Sequence, residues 1–183
     1  MLIETTTLKD LLLIKPDVFG DSRGYFQETW NQTKYAENGL DVNFNQDNLS
    51  FSTKGILRGL HFQNPNPQGK LVYVVQGEVF DVAVDIRRKS ETFGKWYGLT
   101  LSDKNHYQLY IPKGFAHGFC VTSESALFAY KCSGPYCPGN EHSILWNDSD
   151  INITWPMENP ILSKKDSDAL RFSQFSLDFF DFL

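Results

Sequence analysis

No part of this chain is apolar for long enough to cross a membrane. A spanning helix needs about 20 such residues, whereas Met1 to Lys15 offers only the brief run Leu11–Ile14, interrupted upstream by Glu4 and Asp10. That pattern is no secretory signal either, so a soluble cytoplasmic protein is expected. Excess positive charge is also missing. The net charge of −5 excludes a general basic footprint for nucleic acid, and a phosphorylated ligand would have to be met by local arginines and lysines. Cysteine is scarce: Cys120, Cys132 and Cys137 are odd in number and lack the paired spacing of a zinc site, which predicts free thiols in a reducing compartment. Helical periodicity is rare, and its best instance is Asn31–Gly39, where Asn31 can cap a short helix that Gly39 ends. Repeats, low-complexity linkers and domain boundaries are absent, so residues 1–183 are expected to form a single domain.

What the chain does have is β-rich segments and aromatics. Aromatic residues make up 15% of it, led by fifteen Phe, which favours strands and a sheet-lined cavity. Leu71–Val75 leads through a Gln76-Gly77-Glu78 turn into Val79–Arg87. There Phe80, Val82, Val84 and Ile86 share one face, while Asp81, Ala83, Asp85 and Arg87 share the other. Trp96–Leu101, Tyr107–Ile111, Gly118–Val121, Ala126–Lys131 and Ser143–Trp146 continue the rhythm, with breaks at Pro112-Lys113-Gly114 and Ser133-Gly134-Pro135. The reading is an all-β antiparallel fold with a few short helices, a jelly-roll barrel whose mouth can hold a ligand. Phe172–Leu183 holds five Phe and two Leu, so it should pack on the domain or on a second subunit.

Chemistry concentrates in Arg58-Gly59-Leu60-His61-Phe62-Gln63 and, after a Pro/Asn/Gly segment, Lys70. An arginine holds anions, a histidine exchanges a proton near neutral pH, and a lysine stabilises an oxyanion. The combination suggests proton abstraction from an anionic substrate. Taken singly, Arg58 also fits a surface ion pair and His61 a hydrogen-bonded core histidine.

Gly77-Glu78-Val79-Phe80-Asp81-Val82 and Pro112-Lys113-Gly114-Phe115-Ala116-His117 resemble the two motifs of the cupin superfamily, whose fold is a double-stranded antiparallel β-helix. In this alignment Phe80 and Val82 stand where a metal-binding cupin has histidines, leaving His117, and one imidazole is no metal site. No metal and no other cofactor is expected. A closer resemblance spans roughly Val18 to Asp166. Phe19–Glu28, Gln46–Ser50, Leu57–Gln63, Gly69–Val72, Gly77–Arg87, Ile111–Phe119 and Ile144–Asp148 are similar, in order, to the dTDP-4-dehydrorhamnose 3,5-epimerase (RmlC) family.

That resemblance implies an isomerase acting on a dTDP-linked 4-keto-6-deoxy sugar, in dTDP-rhamnose biosynthesis. It implies His61 as the base, Asp166 as the carboxylate behind it, Tyr130 as the acid on the opposite ring face, and Lys70 near the C4 oxygen. Arg23 and Arg58 are implied at the diphosphate and Tyr136 against the thymine. His117, Glu28, Gln46, Asn48, Glu141 and Lys165 are implied as further ligand contacts, with Asp47 contributing through its backbone. A homodimer is implied too, in which Arg23 and Glu28 act across the interface. Bland readings stand beside these: Asp166 as a helix cap, Tyr130 as an interior strand aromatic, Lys70 as a solvated loop lysine, His117 as a core histidine. Rival functions are a C3-only or C5-only epimerase and a non-catalytic nucleotide-sugar-binding cupin.

Overall fold

The computed structural model describes residues 1–181; Phe182 and Leu183 of the Phe-rich segment lie outside the described residues. The strands are β1 (Leu2–Thr5), β2 (Leu12–Lys15), β3 (Val18–Asp21) and β4 (Gly24–Gln27), then, after helix α1 (Gln32–Glu37), β5 (Gln46–Thr53), β6 (Leu57–Gln63), β7 (Gly69–Gln76) and β8 (Glu78–Asp85). They continue as β9 (Trp96–Ser102), β10 (Gln108–Ile111), β11 (Phe115–Val121), β12 (Ser125–Ser133) and β13 (Glu141–Ser143), followed by the short helix α2 (Lys164–Ser167). A six-stranded sheet runs β1-β2-β10-β7-β12-β5 and faces a five-stranded sheet β13-β6-β11-β8-β9, while β3 and β4 form a separate hairpin. Every pair within these sheets is antiparallel. This is the cupin-type jelly roll.

Successive strands leave one sheet for the other, and glycines make the crossings possible. β7 and β8 look in sequence like hairpin partners but belong to opposite sheets. Gly77 between them has φ +85°, and a Cβ there would meet the Ser125 carbonyl oxygen at 2.0 Å. Gly59 in β6 has φ +133°, and its Cβ would lie 2.5 Å from Gly118 Cα. That contact marks the register shift between β6 and β11 that sets His61 opposite His117.

Three apolar layers result. Val72, Leu109, Phe119 and Phe128 fill the space between the sheets. Tyr35 of α1 covers the back of the six-stranded sheet with Ile14, Leu40 and Leu71. Leu60, Phe62, Val82, Val84, Ile86 and Phe180 form a layer on the back of the other sheet, beneath the C-terminal segment. The alternation in β8 is therefore real, and the structure assigns its two faces. Its Val82 and Val84 face outward under the C-terminal cover, and Asp81 lies inside the barrel against His117.

Helix α1 matches expectation: the Asn31 side chain accepts from Lys34 N at 3.1 Å, and Gly39 follows with φ +93°. Most strand boundaries move by one or two residues, and two changes bear on the cavity. β11 begins at Phe115, directly after the Gly114 turn, so His117 belongs to a strand, and β13 occupies Glu141–Ser143 rather than continuing to Trp146.

Gly77→Ala should lower unfolding stability by about 2–3 kcal/mol, because strain and overlap coincide there. Gly139→Ala, whose added methyl meets nothing within 4 Å, should change it by less than about 0.5 kcal/mol. Urea-unfolding midpoints of the two variants check the difference.

Candidate active site

β6 splits its side chains between two environments. Leu60 and Phe62 enter the outer apolar layer, whereas His61 and Gln63 line a cavity between the sheets. β7, β11 and β12 contribute Lys70, His117 and Tyr130 to the same walls. A second, adjoining cavity shares His61, Lys70, His117 and Tyr130 and is bounded also by Arg58, Ser50 and Phe128.

His61 Nε2 lies 2.5 Å from Asp166 Oδ1. Asp166 is at the third position of α2, whose N-cap is Ser163: the Ser163 hydroxyl accepts from Asp166 N at 3.1 Å and donates to Asp166 Oδ2 at 2.8 Å. Parallel bridges pin the segment on either side of the helix, Ile161 to Ile56 and Leu170 to Ile144. The carboxyl side chain is 3% exposed. Burial pushes its pKa up, but the hydrogen bond and charge of His61, the Ser163 hydroxyl and Lys165 outweigh burial and hold it below its ordinary value. An ionised carboxylate can only accept, so Nε2 of the neutral ring carries the hydrogen and Nδ1 is left as the basic nitrogen.

Across the cavity stands the other sheet. Tyr130 is paired in register with Asn48 on one side and Val72 on the other, and burial raises its pKa, so the phenol keeps its proton. Lys70 sits on β7 between Ile111 and Cys132, not on a solvated loop. Burial lowers its pKa against the upward pull of Cys132, Glu141 and Asp81, and it forms no ion pair among the described residues. His117 Nε2 donates to Asp81 Oδ2 at 2.8 Å, and the ring stacks at 21° to Phe128.

At the mouth, Glu141 Oε2 accepts from the Tyr136 hydroxyl at 2.9 Å and meets Lys165 Nζ at 2.5 Å. Burial raises the Glu141 carboxyl, and Lys165 and Tyr136 more than offset it, leaving it below its ordinary value. Gln46 and Asn48 face inward and bond each other at 2.9 Å. Asp47, between them, points outward to Lys131 at 2.7 Å, so only its backbone is available to the cavity. Arg58 Nε donates to Ser52 Oγ at 3.1 Å. Arg23 and Glu28 stand apart. Arg23 pairs with Asp21 at the tip of the β3–β4 hairpin with its side chain 87% exposed, and Glu28 pairs with Lys34 at 3.5 Å.

One expectation is corrected. Val82 belongs to the outer layer and Phe80 packs against it, so neither position can report on a ligand in the cavity. His61, Gln63, Lys70 and His117 line the cavity together with Gln46, Asn48, Tyr130 and Glu141, and an ammonium in that ring is a charge for an anion, not a metal ligand. Among the described residues no group of three or more His, Cys, Asp or Glu could hold a metal ion. Three contributors escaped the sequence reading: Asp81 behind His117, Ser163 behind Asp166, and Gln63, whose side chain accepts from Cys137 N at 2.8 Å and donates to Asn66 O at 2.9 Å. Only Ser163 left a readable signal, the Ser-x-x-Asp spacing of a helix start.

Comparison with known proteins identifies the family. The sequence model of the family described as dTDP-4-dehydrorhamnose 3,5-epimerase matches residues 5–174. The dTDP-4-dehydrorhamnose 3,5-epimerase of Shigella flexneri is 56% identical over 169 residues, covering 91% of this chain and 93% of that one. The dTDP-4-dehydrorhamnose 3-epimerase of Streptomyces niveus is 40% identical over 163 residues, covering 88% and 79%. A crystal structure of dTDP-6-deoxy-D-glucose-3,5-epimerase from Legionella pneumophila, in complex with dTDP-4-keto-L-rhamnose, superposes with TM-score 0.94 at 48% identity, covering 97% of this chain and 96% of that one. With the two sheets presenting a histidine–carboxylate pair and a tyrosine to one cavity, the chain belongs to the dTDP-4-dehydrorhamnose 3,5-epimerase family.

Proposed function

We propose that His61, Asp166, Tyr130 and Lys70 catalyse the family's reaction here: epimerisation at C3 and C5 of dTDP-4-dehydro-6-deoxy-D-glucose to give dTDP-4-dehydro-L-rhamnose. The observation that carries this assignment is the distribution of the groups. His61 and Asp166 are on the side of the five-stranded sheet, Tyr130 and Lys70 are on the six-stranded sheet, and all but Asp166 line one cavity. Inversion needs a proton removed from one ring face and returned to the other, so base and acid must stand on opposite walls.

The C3 and C5 protons flank the C4 ketone, and the substrate itself therefore serves as electron sink. His61 Nδ1 takes the proton, and the electron pair moves into the ring as an enolate whose negative charge gathers on the C4 oxygen. The Lys70 ammonium stabilises that oxygen. Asp166 stabilises the imidazolium that forms and keeps Nδ1 aimed inward. Tyr130 donates its phenolic proton to the opposite face. Every step is a proton transfer, which this donor set supplies without a further cofactor.

The remaining assignments are part of the same reading. Arg58, exposed and bordering the second cavity, is suited to the diphosphate through its planar guanidinium. Tyr136, 50% exposed at the mouth, can stack on thymine, and Gln46, Asn48, Glu141, Lys165 and His117 are placed to meet nucleoside or sugar. Arg23 and Glu28 require a second subunit. The β3–β4 hairpin exposes Phe19, Tyr25 and Phe26, and the outward side of β5 and β7 exposes Leu49, Phe51 and Val75. Apolar patches of this kind cover each other in a homodimer, which would carry Arg23 to the partner's cavity. The three free cysteines fit a cytoplasmic location.

Incubation with dTDP-4-keto-6-deoxyglucose in D₂O, followed by NMR, should place deuterium at both C3 and C5. Label at one position would make the protein a mono-epimerase, and none would end the enzymatic reading. His61→Ala should abolish exchange while dTDP affinity stays within about tenfold; persistent exchange would displace His61 as base.

Lys70→Met should remove turnover yet raise the melting temperature at neutral pH, since a buried cation is costly to hold. The sign follows from the lowered pKa: between that value and the ordinary 10.5, the unfolded chain binds more protons than the folded one. The penalty is present in full below the window and fades as pH rises through it. Differential scanning calorimetry should therefore show the wild-type deficit relative to Lys70→Met narrowing toward pH 10.

Mixing inactive His61→Ala protein with Arg23→Ala protein, under conditions of subunit exchange and low substrate, tests the interface. If Arg23 serves the partner's cavity, half the sites of each mixed dimer are whole, and about a quarter of wild-type activity should return. Activity no greater than that of the separate variants would place Arg23 within its own subunit's site or outside the chemistry.

A further inference from the structure

The Phe-rich C-terminal segment has no part in the chemistry above, yet it is attached directly behind it. Phe62 and His142 are the sequence neighbours of His61 and Glu141, and they face each other across the β6–β13 pairing with ring centroids 5.6 Å apart. Alternation sends their rings to the outer layer while His61 and Glu141 line the cavity, which Phe62 also borders. On that outer face they meet the tail. Phe175, Phe179 and Phe180 stand 5.8, 6.1 and 6.1 Å from Phe62, and Phe179 meets His142 edge-on at 4.8 Å.

The contact is also polar. Asn64 Nδ2 donates to the Phe179 carbonyl at 2.5 Å, and His142 Nε2 donates to the Asn64 carbonyl at 3.1 Å. Asn64 opens the connection from β6 to β7, from His61 to Lys70, and Pro67 and Gln68 of that connection line the cavity. The tail is fixed at both ends: Phe172 N donates to buried Asp148 Oδ2 at 2.8 Å, and Arg88 N donates to Phe180 O at 3.2 Å, with Arg88 also paired to Asp178.

This edge of the sheet needs support from elsewhere. β13 has three residues and is the last strand, so on that side β6 is backed by one short ladder. We propose that the Phe179 region of the tail is a positioning element for the active site. It clamps Phe62, His142 and Asn64 from behind and so fixes where His61, Glu141 and the Asn64–Gln68 connection stand at the cavity. Phe172, by contrast, packs on Phe93 and Phe180 at the far end of the segment, away from β6 and β13. Its loss removes the same aromatic bulk while leaving the Phe179 contacts to Phe62, His142 and Asn64 in place.

The inference rests on the epimerase reading, and the assay separates the two. Wild-type protein without turnover would defeat that reading, whereas the clamp is judged on variants of an active wild type. Phe179→Ala should lower kcat roughly ten- to a hundredfold, as expected when reacting groups shift by a fraction of an ångström to an ångström. KM and dTDP affinity should stay within about threefold, and Phe179→Leu should recover most of the loss. Phe172→Ala should cost comparable thermal stability but keep kcat within about threefold. Asn64→Ser, which removes the amide donor to Phe179 O, should show the same kcat-specific defect should Phe179→Ala fold poorly. Unchanged kcat in both Phe179→Ala and Asn64→Ser overturns the proposal. So does an equal fall of kcat in Phe172→Ala and Phe179→Ala that simply tracks melting temperature.

Discussion

The hydrogen bond between His61 and Asp166 joins residues 105 positions apart, and forming it dictates much of the chain's path. A buried carboxylate is expensive unless charge and hydrogen bonds compensate it. Here the compensation comes from three directions: the imidazole, the Ser163 hydroxyl and the nearby Lys165. The chain must therefore return from β13 along the edge of the five-stranded sheet and turn a single helical turn at the right place. The Ile161–Ile56 and Leu170–Ile144 bridges hold that return on either side of α2. With Asp166 fixed, one ring nitrogen of His61 is committed and the other is left free of the carboxylate.

The rest of the architecture supplies what that pair lacks. Opposing sheets are a natural way to hold an acid and a base on two faces of a flat ring, because each can be anchored in a separate hydrogen-bonded ladder. The jelly roll also allows polar groups inward, since apolar layers lie on the backs of both sheets as well as between them. β8 shows the principle: its aliphatic side chains lie outward under the C-terminal cover, freeing Asp81 to hold His117 inside. The tail is thus part of the solvent-excluding shell, not an appendage to it.

Strand rhythm, the capped helix after Asn31 and the catalytic candidates were legible because each is a local pattern or a short motif. His61, Lys70, Tyr130 and His117 do meet at one cavity. Orientation was not legible. The period of two in β8 separates faces without saying which one is interior, and the alignment of Phe80 and Val82 with metal-ligand positions says nothing about a cavity that neither side chain faces. Asp81 went unnoticed for the same reason, as an acidic residue on a strand reads as solvent-facing. Pairing was also hidden: Gly77 marks a turn, but whether β7 and β8 then pair or part is decided by the contact with Ser125 far along the chain. Arg23 and Glu28 lie away from the cavity of their own chain, paired with Asp21 and Lys34, and no local pattern in the sequence marks that separation.

The most direct test of this account is the protonation pattern of His61 itself. In ¹⁵N-labelled protein, NMR of the neutral ring should show hydrogen on Nε2 and a bare Nδ1, and Asp166→Asn should disturb that pattern together with deuterium exchange into the substrate. A neutral ring carrying its hydrogen on Nδ1, or a tautomer and exchange rate indifferent to Asp166→Asn, would contradict the claim that the buried carboxylate aims the base.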